Sequence, residues 1–181
     1  MSLKVFKNKN KPTWAENNFF NYLIDVLKDT NLEVGLFLNT FADGTELDAI
    51  IATEKGIFIL EYKNFSGRLF ASENDEWKLL EANGNEIELS HSKSRENVFQ
   101  QVRRQRFALK NLIDNNFSDI FEEDSIESKS THHIGSYLIF EMLDSKSTYD
   151  LADKTKAWLS ILSKESFTKD FYHRRPSNLT F

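Results

Sequence analysis

The stretch Gly56-Ile57-Phe58-Ile59-Leu60-Glu61-Tyr62-Lys63 restricts the fold more than any other part of the chain. Its near-continuous apolar character reads as a strand buried on both faces, at the centre of a sheet. The tight turn Glu54-Lys55-Gly56 joins it to Thr45–Thr53, which carries Leu47-Asp48-Ala49-Ile50-Ile51, so the two form an antiparallel hairpin. A strand of this kind needs covering layers above and below.

The rest of the sequence supplies them. Pro12-Thr13-Trp14-Ala15-Glu16 has the form of a capping box, and Phe20, Leu23 and Leu27 follow at helical spacing, which predicts a helix over 13–29. Leu32 to Phe41 alternates through Val34, Leu36 and Leu38 as a strand, and Ala42-Asp43-Gly44 turns it into the hairpin. Gly67 opens a weaker strand over 68–72, and Asn83-Gly84 joins two short strands, 77–80 and 86–89. A long helix is expected over 94–114, then an acidic connector over 115–131, a buried strand over 134–140 and helical spacing over 148–163 through Leu151, Trp158 and Leu162. This order of elements fits an α/β domain whose mixed central sheet is flanked by helices.

Composition removes several classes of function. The chain has 181 residues and no cysteine, which excludes a disulfide scaffold, a thiolate zinc site and a cysteine nucleophile. No apolar run is long enough to span a bilayer and the N-terminus lacks a signal-peptide core, so a cytoplasmic location without membrane contact is expected. A net charge of −5 argues against a protein that coats nucleic acid by bulk charge, but leaves a local basic face open.

The unusual feature is the charge at the end of the apolar strand. Residues two apart on a strand share a face, so Glu61 and Lys63 project together beside Ile57 and Ile59. Taken alone, this is also what an ion pair at a strand end looks like. Asp48 adds a second carboxylate, at a comparable distance on the other side of the Glu54-Lys55-Gly56 turn. Two carboxylates and an ammonium then converge, and oxygen ligands suit a hard cation such as Mg²⁺ or Mn²⁺. Glu16 shares a helical face with Phe20, Leu23 and Leu27, where it is either a member of this group or the acid of the capping box. Asn97 and Gln101 are four apart with Val98 and Val102, and read as a polar pair facing the core.

Glu16 on an N-terminal helix, Asp48 in Glu-Leu-Asp-Ala-Ile-Ile, Glu61-Tyr62-Lys63-Asn64 and Asn97-Val-Phe-Gln-Gln101-Val102 together resemble the nuclease-related domain, NERD, of the PD-(D/E)xK nuclease superfamily. The resemblance covers residues 13–114 and extends to 134–140. Two positions depart from the family pattern: Leu47 precedes Asp48, and Val98 follows Asn97, where proline is frequent. What the resemblance implies is a restriction-endonuclease-like three-layer fold and metal-dependent hydrolysis of phosphodiester bonds, with DNA as the expected partner and RNA not excluded. By that analogy Asp48 and Glu61 hold Mg²⁺ or Mn²⁺, Lys63 positions water and offsets charge, and Glu16 and Gln101 are further members. The expected organisation is an extension over 1–12, the nuclease domain over 13–145 and a C-terminal helical extension over 146–181. The apolar ending Leu179-Thr180-Phe181 reads as a chain continuing into a longer protein, and a homodimer is compatible with all of this. The rival from another class is a non-catalytic nucleic-acid-binding or assembly module on the same fold.

Gln100-Gln101-Val102-Arg103-Arg104-Gln105-Arg106 and Lys110 form a basic helical stretch. Arg103, Arg104, Arg106 and Lys110 are the candidate nucleic-acid contacts, with a solvated helix face as the alternative. His91 and the adjacent His132-His133 are poor ligand candidates, and Trp14, Trp77 and Trp158 read as core or edge packing. No Gly-rich phosphate loop, G-x-S-x-G elbow or H-E-x-x-H is present.

Overall fold

A computed structural model describes residues 2–9, 11–90, 96–116 and 134–173. The hairpin expected from sequence is its centre. Strand β3 (Thr45–Thr53) pairs antiparallel with β4 (Gly56–Ser72), and β2 (Val34–Ala42) pairs antiparallel with β3 on its other edge. Asp43 and Gly44 both have positive φ, 46° and 72°, as a two-residue hairpin turn needs. Strand β7 (Gly135–Leu143) runs parallel to β4 on the side away from β3. The result is a mixed sheet in which β4 is paired on both edges, which its apolar sequence demanded.

Helix α1 (Trp14–Lys28) covers one face. Thr13 and Glu16 close the capping box, worth about 1 kcal/mol. Phe19, Phe20, Leu23 and Leu27 pack on Leu36, Leu38, Phe58, Leu60 and Tyr62, and the Phe19 ring stacks on Tyr62 with centroids 4.3 Å apart. Helix α2 (Val98–Asn115) covers the other face. Its Ala108, Leu109 and Ile113 meet Leu47, Ile50 and Ile59, while Val98 and Val102 lie in a cluster with Trp77 and Leu79. Two helices on opposite faces of one mixed sheet make the three-layer α/β fold.

The structure departs from the sequence expectations in several places. The weaker strand over 68–72 is the far half of β4, not a separate element. The pairing register with β7 shifts between Lys63 and Ser66, and Gly67, just beyond the irregularity, has φ 155°. A Cβ there would lie 2.4 Å from the Leu80 carbonyl oxygen, so only glycine lets β5 (Trp77–Leu80) approach this closely. The predicted hairpin of β5 with β6 (Glu86–Leu89) is present.

The helical reading of 148–163 is overturned. The segment forms β8 (Thr148–Asp150), the single turn α3 (Asp153–Lys156) and β9 (Leu159–Ser163). Leu151 and Trp158 pack on the α2 side and Leu162 on the α1 side, so no common stripe holds a helix together. The free edge of β7 instead captures Leu159–Ser163 in parallel. One strand was not foreseen, β1 (Leu3–Lys7), parallel to β2; helix α4 (Lys164–His173) falls within the segment expected as a C-terminal helical extension, and its Phe167 and Phe171 complete the α1 layer. Helix α2 starts at Val98 rather than near 94, because Asn97 caps it. Trp14, read as packing, is 79% exposed. His91, His132-His133, most of the acidic connector and the apolar tail lie outside the described residues. No described helix is long and apolar enough to cross a membrane.

Candidate active site

The site begins where the β3–β4 ladder stops. Backbone pairing runs from Thr53 opposite Gly56 to Ala49 opposite Leu60. One step further the two strands present Asp48 and Glu61, and opposed residues of an antiparallel pair point to the same face. Asp48 replaces the ladder bond with its side chain: its Oδ2 accepts the Tyr62 backbone N–H at 2.8 Å. Removal from water, and then the charge of Glu61, hold the Asp48 carboxyl well above the usual carboxylate range. The Tyr62 N–H and the Lys63 ammonium pull the other way without winning.

Glu61 is 3% exposed and is held by three donors. Its Oε1 accepts from Lys63 Nζ at 2.8 Å and from Gln101 Nε2 at 2.7 Å. Its Oε2 accepts from Gln105 Nε2 at 2.6 Å. Lys63 Nζ also donates to Gln101 Oε1 at 3.0 Å, which closes a ring of Lys63, Glu61 and Gln101. The strand period brings Glu61 and Lys63 to the α2 face, and the i, i+4 spacing on α2 brings Gln101 and Gln105 to meet them.

Gln105 is a member that the sequence reading missed. It is 2% exposed, and its Nε2 also donates to the Glu46 carbonyl at 3.2 Å, while its Oε1 has no partner. Its signal in the sequence was available: a glutamine four residues after Gln101, on the stripe of Val98, Val102 and Leu109.

The remaining candidates divide. Glu16 closes the capping box, its Oε2 accepting the Thr13 N–H at 2.6 Å, and its charge still counts among those raising Asp48. Asn97 is not part of the cluster, which corrects the expectation of a polar pair facing the core. Its Oδ1 accepts the Gln100 N–H at 2.9 Å as the α2 N-cap, and its Nδ2 donates to the Asp75 carbonyl. Arg104 pairs with Glu96 at 3.0 Å, and Glu61 is among the charges that act on it. Lys110 is paired with Asp114 on its own helix. Arg106, expected to be exposed with Arg103, is half-buried. It donates to the Ile134 carbonyl at 2.7 Å and lies 5.0 Å over the Trp158 ring, and burial lowers its pKa.

The donor set fits a hard cation bound by few protein ligands. Asp48 Oδ1 takes no hydrogen bond among the described residues, and Glu61 Oε2 accepts only one of the two it can. Among the described residues no group of three acidic or histidine side chains is placed to share a metal. Mg²⁺ is often bound by one or two carboxylates with water and substrate phosphate completing the shell. Two carboxylates brought face to face, with the Asp48 carboxyl raised by burial and then by the Glu61 charge, are what such an ion would relieve.

The family model for the nuclease-related domain matches residues 11–141. The chain belongs to the NERD family. No curated protein and no solved structure is significantly similar to it. NERD is generally assigned to the PD-(D/E)xK superfamily, and the mixed sheet between helices is consistent with the restriction-endonuclease-like fold. The NERD match contains Glu16, Asp48, Glu61, Lys63, Gln101 and Gln105, so the whole cluster lies inside the family region. Membership points to a nuclease-related activity with nucleic acid as the substrate.

Proposed function

We propose that this NERD domain hydrolyses phosphodiester bonds in DNA with Mg²⁺ or Mn²⁺ bound by Asp48 and Glu61. The observation that carries the reading is the meeting of Asp48, Glu61 and Lys63 at one strand end, with a carboxylate in excess of what the lysine can neutralise. When bound, the cation supplies Lewis-acid polarisation of the phosphate and a more acidic water.

The side chains do the rest. Asp48 Oδ1 and the free lone pair of Glu61 Oε2 are the ligating positions. Lys63 has three N–H donors, of which Glu61 and Gln101 take two. The third orients the attacking water or meets a phosphate oxygen as negative charge builds there. The Lys63 side chain is 20% exposed, so substrate can reach it from solvent. Gln101 holds the ammonium on one side and Glu61 on the other, which fixes their separation. Arg104, flanking the cluster, meets the backbone of the bound strand, and Lys110 adds longer-range attraction.

Purified protein should nick supercoiled plasmid when Mg²⁺ or Mn²⁺ is added. Lys63→Ala and the isosteric Asp48→Asn should each reduce the rate by at least about 100-fold. Asp48→Asn preserves shape, so its loss is not a folding effect. Cleavage unchanged by both substitutions would overturn the proposal.

A further inference from the structure

Helix α2 has a second polar face. Arg103 and Arg106 lie roughly 140–200° around its axis from Gln101, at 3.6 residues per turn. There they border a cleft of about 340 Å³ shared with the segment between β8 and β9. Phe99, Phe107 and Trp158 give the cleft its apolar surface, and Arg103, Arg106 and Lys154 give it positive charge.

The one carboxylate in the lining is already engaged. Glu73 accepts the Ala152 N–H at 2.8 Å, and a hydrogen bond from Thr155, this backbone bond and the charges of Lys154 and Arg103 lower its pKa. No ion pair holds Arg103 or Lys154 among the described residues. The Arg103 guanidinium lies 5.7 Å over the Phe107 ring, and Phe107 is 46% exposed. Arg106 is fixed by the Ile134 carbonyl and by stacking on Trp158.

Excess positive charge selects an anion, and an exposed ring beside it selects a flat apolar face on the same ligand. Single-stranded nucleic acid offers both, because its bases are free to stack while its phosphates meet the cations. A duplex keeps its bases stacked inside and has nothing to place on Phe107. An acidic peptide would use the cations and leave the ring idle.

We propose that this cleft binds a single-stranded segment of nucleic acid, with a base on Phe107 and a phosphate between Arg103 and Lys154. The proposal rests on the reading of the domain as one that acts on nucleic acid. It places an unpaired strand on the side of α2 opposite the carboxylates.

The test is fluorescence anisotropy in EDTA, where no hydrolysis proceeds, with a labelled oligothymidylate and a labelled duplex. Phe107→Ala should weaken oligothymidylate binding about tenfold and leave duplex binding unchanged. Arg103→Ala and Lys154→Ala should each reduce the slope of log affinity against log salt by about 0.7. Lys169→Ala, 78% exposed on α4, should alter neither, and melting curves should show all variants folded. Phe107→Ala without effect on the oligothymidylate, or with equal effect on the duplex, would overturn the proposal. So would displacement of the strand by polyglutamate at matched charge, or by thymidine monophosphate as effectively as by the oligomer. Binding with these dependences in a protein that fails to cut with Mg²⁺ removes the nuclease reading and leaves this site. Cutting without any Phe107 effect removes this site alone.

Discussion

Gln105→Leu separates the fold of this site from its chemistry. In the folded protein the Gln105 amide gives Glu61 a bond at 2.6 Å and the Glu46 carbonyl one at 3.2 Å. A hydrogen bond to a charged group is worth about 1.5–3 kcal/mol and a neutral one about 0.5–1.5 kcal/mol. Against these stands the buried Gln105 Oε1, which has no partner and costs about 1–3 kcal/mol. Leucine removes both bonds, removes the unpartnered oxygen and keeps apolar volume in a position only 2% exposed. The gain offsets only part of the loss, because Glu61 Oε2 and the Glu46 carbonyl lose their donor; a net cost of about 1–2 kcal/mol should lower the melting temperature by about 2–8 °C, at about 2–4 °C per kcal/mol for a chain of this size. Function should respond differently. Glu61 keeps Lys63 and Gln101 on Oε1 but loses the only anchor on Oε2, the oxygen assigned to the cation. Losing a partner that orients a metal ligand typically costs about 10–100-fold in metal affinity or activity. Plasmid nicking across a Mn²⁺ titration should therefore show a half-saturating concentration raised by about that factor, or an equal loss of rate, in a protein that melts within about 8 °C of the wild-type temperature. Gln105→Glu keeps the shape but sets a carboxylate against Glu61, and should lose more. Wild-type Mn²⁺ dependence and rate in Gln105→Leu would refute the reasoning, and a fall in melting temperature above about 10 °C would refute the partial cancellation.

Two further outcomes follow from the geometry. The Asp48 carboxyl is raised in the folded chain, so the metal-free protein binds more protons folded than unfolded above the ordinary aspartate range, and its stability falls as pH rises through that window. Mn²⁺ competes with the proton, so the gain in melting temperature at saturating Mn²⁺ should grow as pH rises above the ordinary aspartate range, and a gain that shrinks would contradict it. Gly67→Ala puts a Cβ 2.4 Å from the Leu80 oxygen at φ 155°, and should cost about 2–5 kcal/mol in urea unfolding; a loss below about 1 kcal/mol would show that β5 yields easily.

The parts of this protein legible in its sequence are those set by short-range rules. The turn at Glu54-Lys55-Gly56 and the period of two determine which residue of β3 opposes which residue of β4, so the approach of Asp48 to Glu61 could be read from spacing alone. The capping box of Thr13 and Glu16 is likewise local. What could not be read depends on partners distant in the chain. Leu159–Ser163 is a strand only because β7 offers it an edge, and Leu151, Trp158 and Leu162 imitate a helix until their different packing layers are known. Asn97 looked like a core amide because its helix was expected to start earlier; once Val98 is the first helical residue, the same side chain is a cap. Gln105 was hidden by its setting among arginines, where a buried amide reads as one more solvated polar residue.

The excess of charge at the strand end bears on whether the cluster exists for the fold or for chemistry. A Glu61–Lys63 pair by itself needs no function: buried ion pairs are about neutral against apolar residues of the same size, and Gln101 and Gln105 supply further hydrogen bonds to the Glu61 carboxylate. Asp48 is not required by that arrangement. It adds a second carboxylate beside a glutamate whose single positive partner is already used, and it gives up a regular ladder bond to reach the Tyr62 N–H with its side chain. The fold alone would have been served by an apolar residue with a normal backbone pair. Burial away from water, and then the Glu61 charge, raise the Asp48 carboxyl in the metal-free chain. A divalent cation would offset the excess, with both carboxylates ionised and Lys63 left to meet charge on a bound phosphate. Negative charge at this strand end and a nucleic-acid partner are therefore compatible under the proposed reading, because an ion held there would supply the sign that the chain as a whole, at −5, lacks.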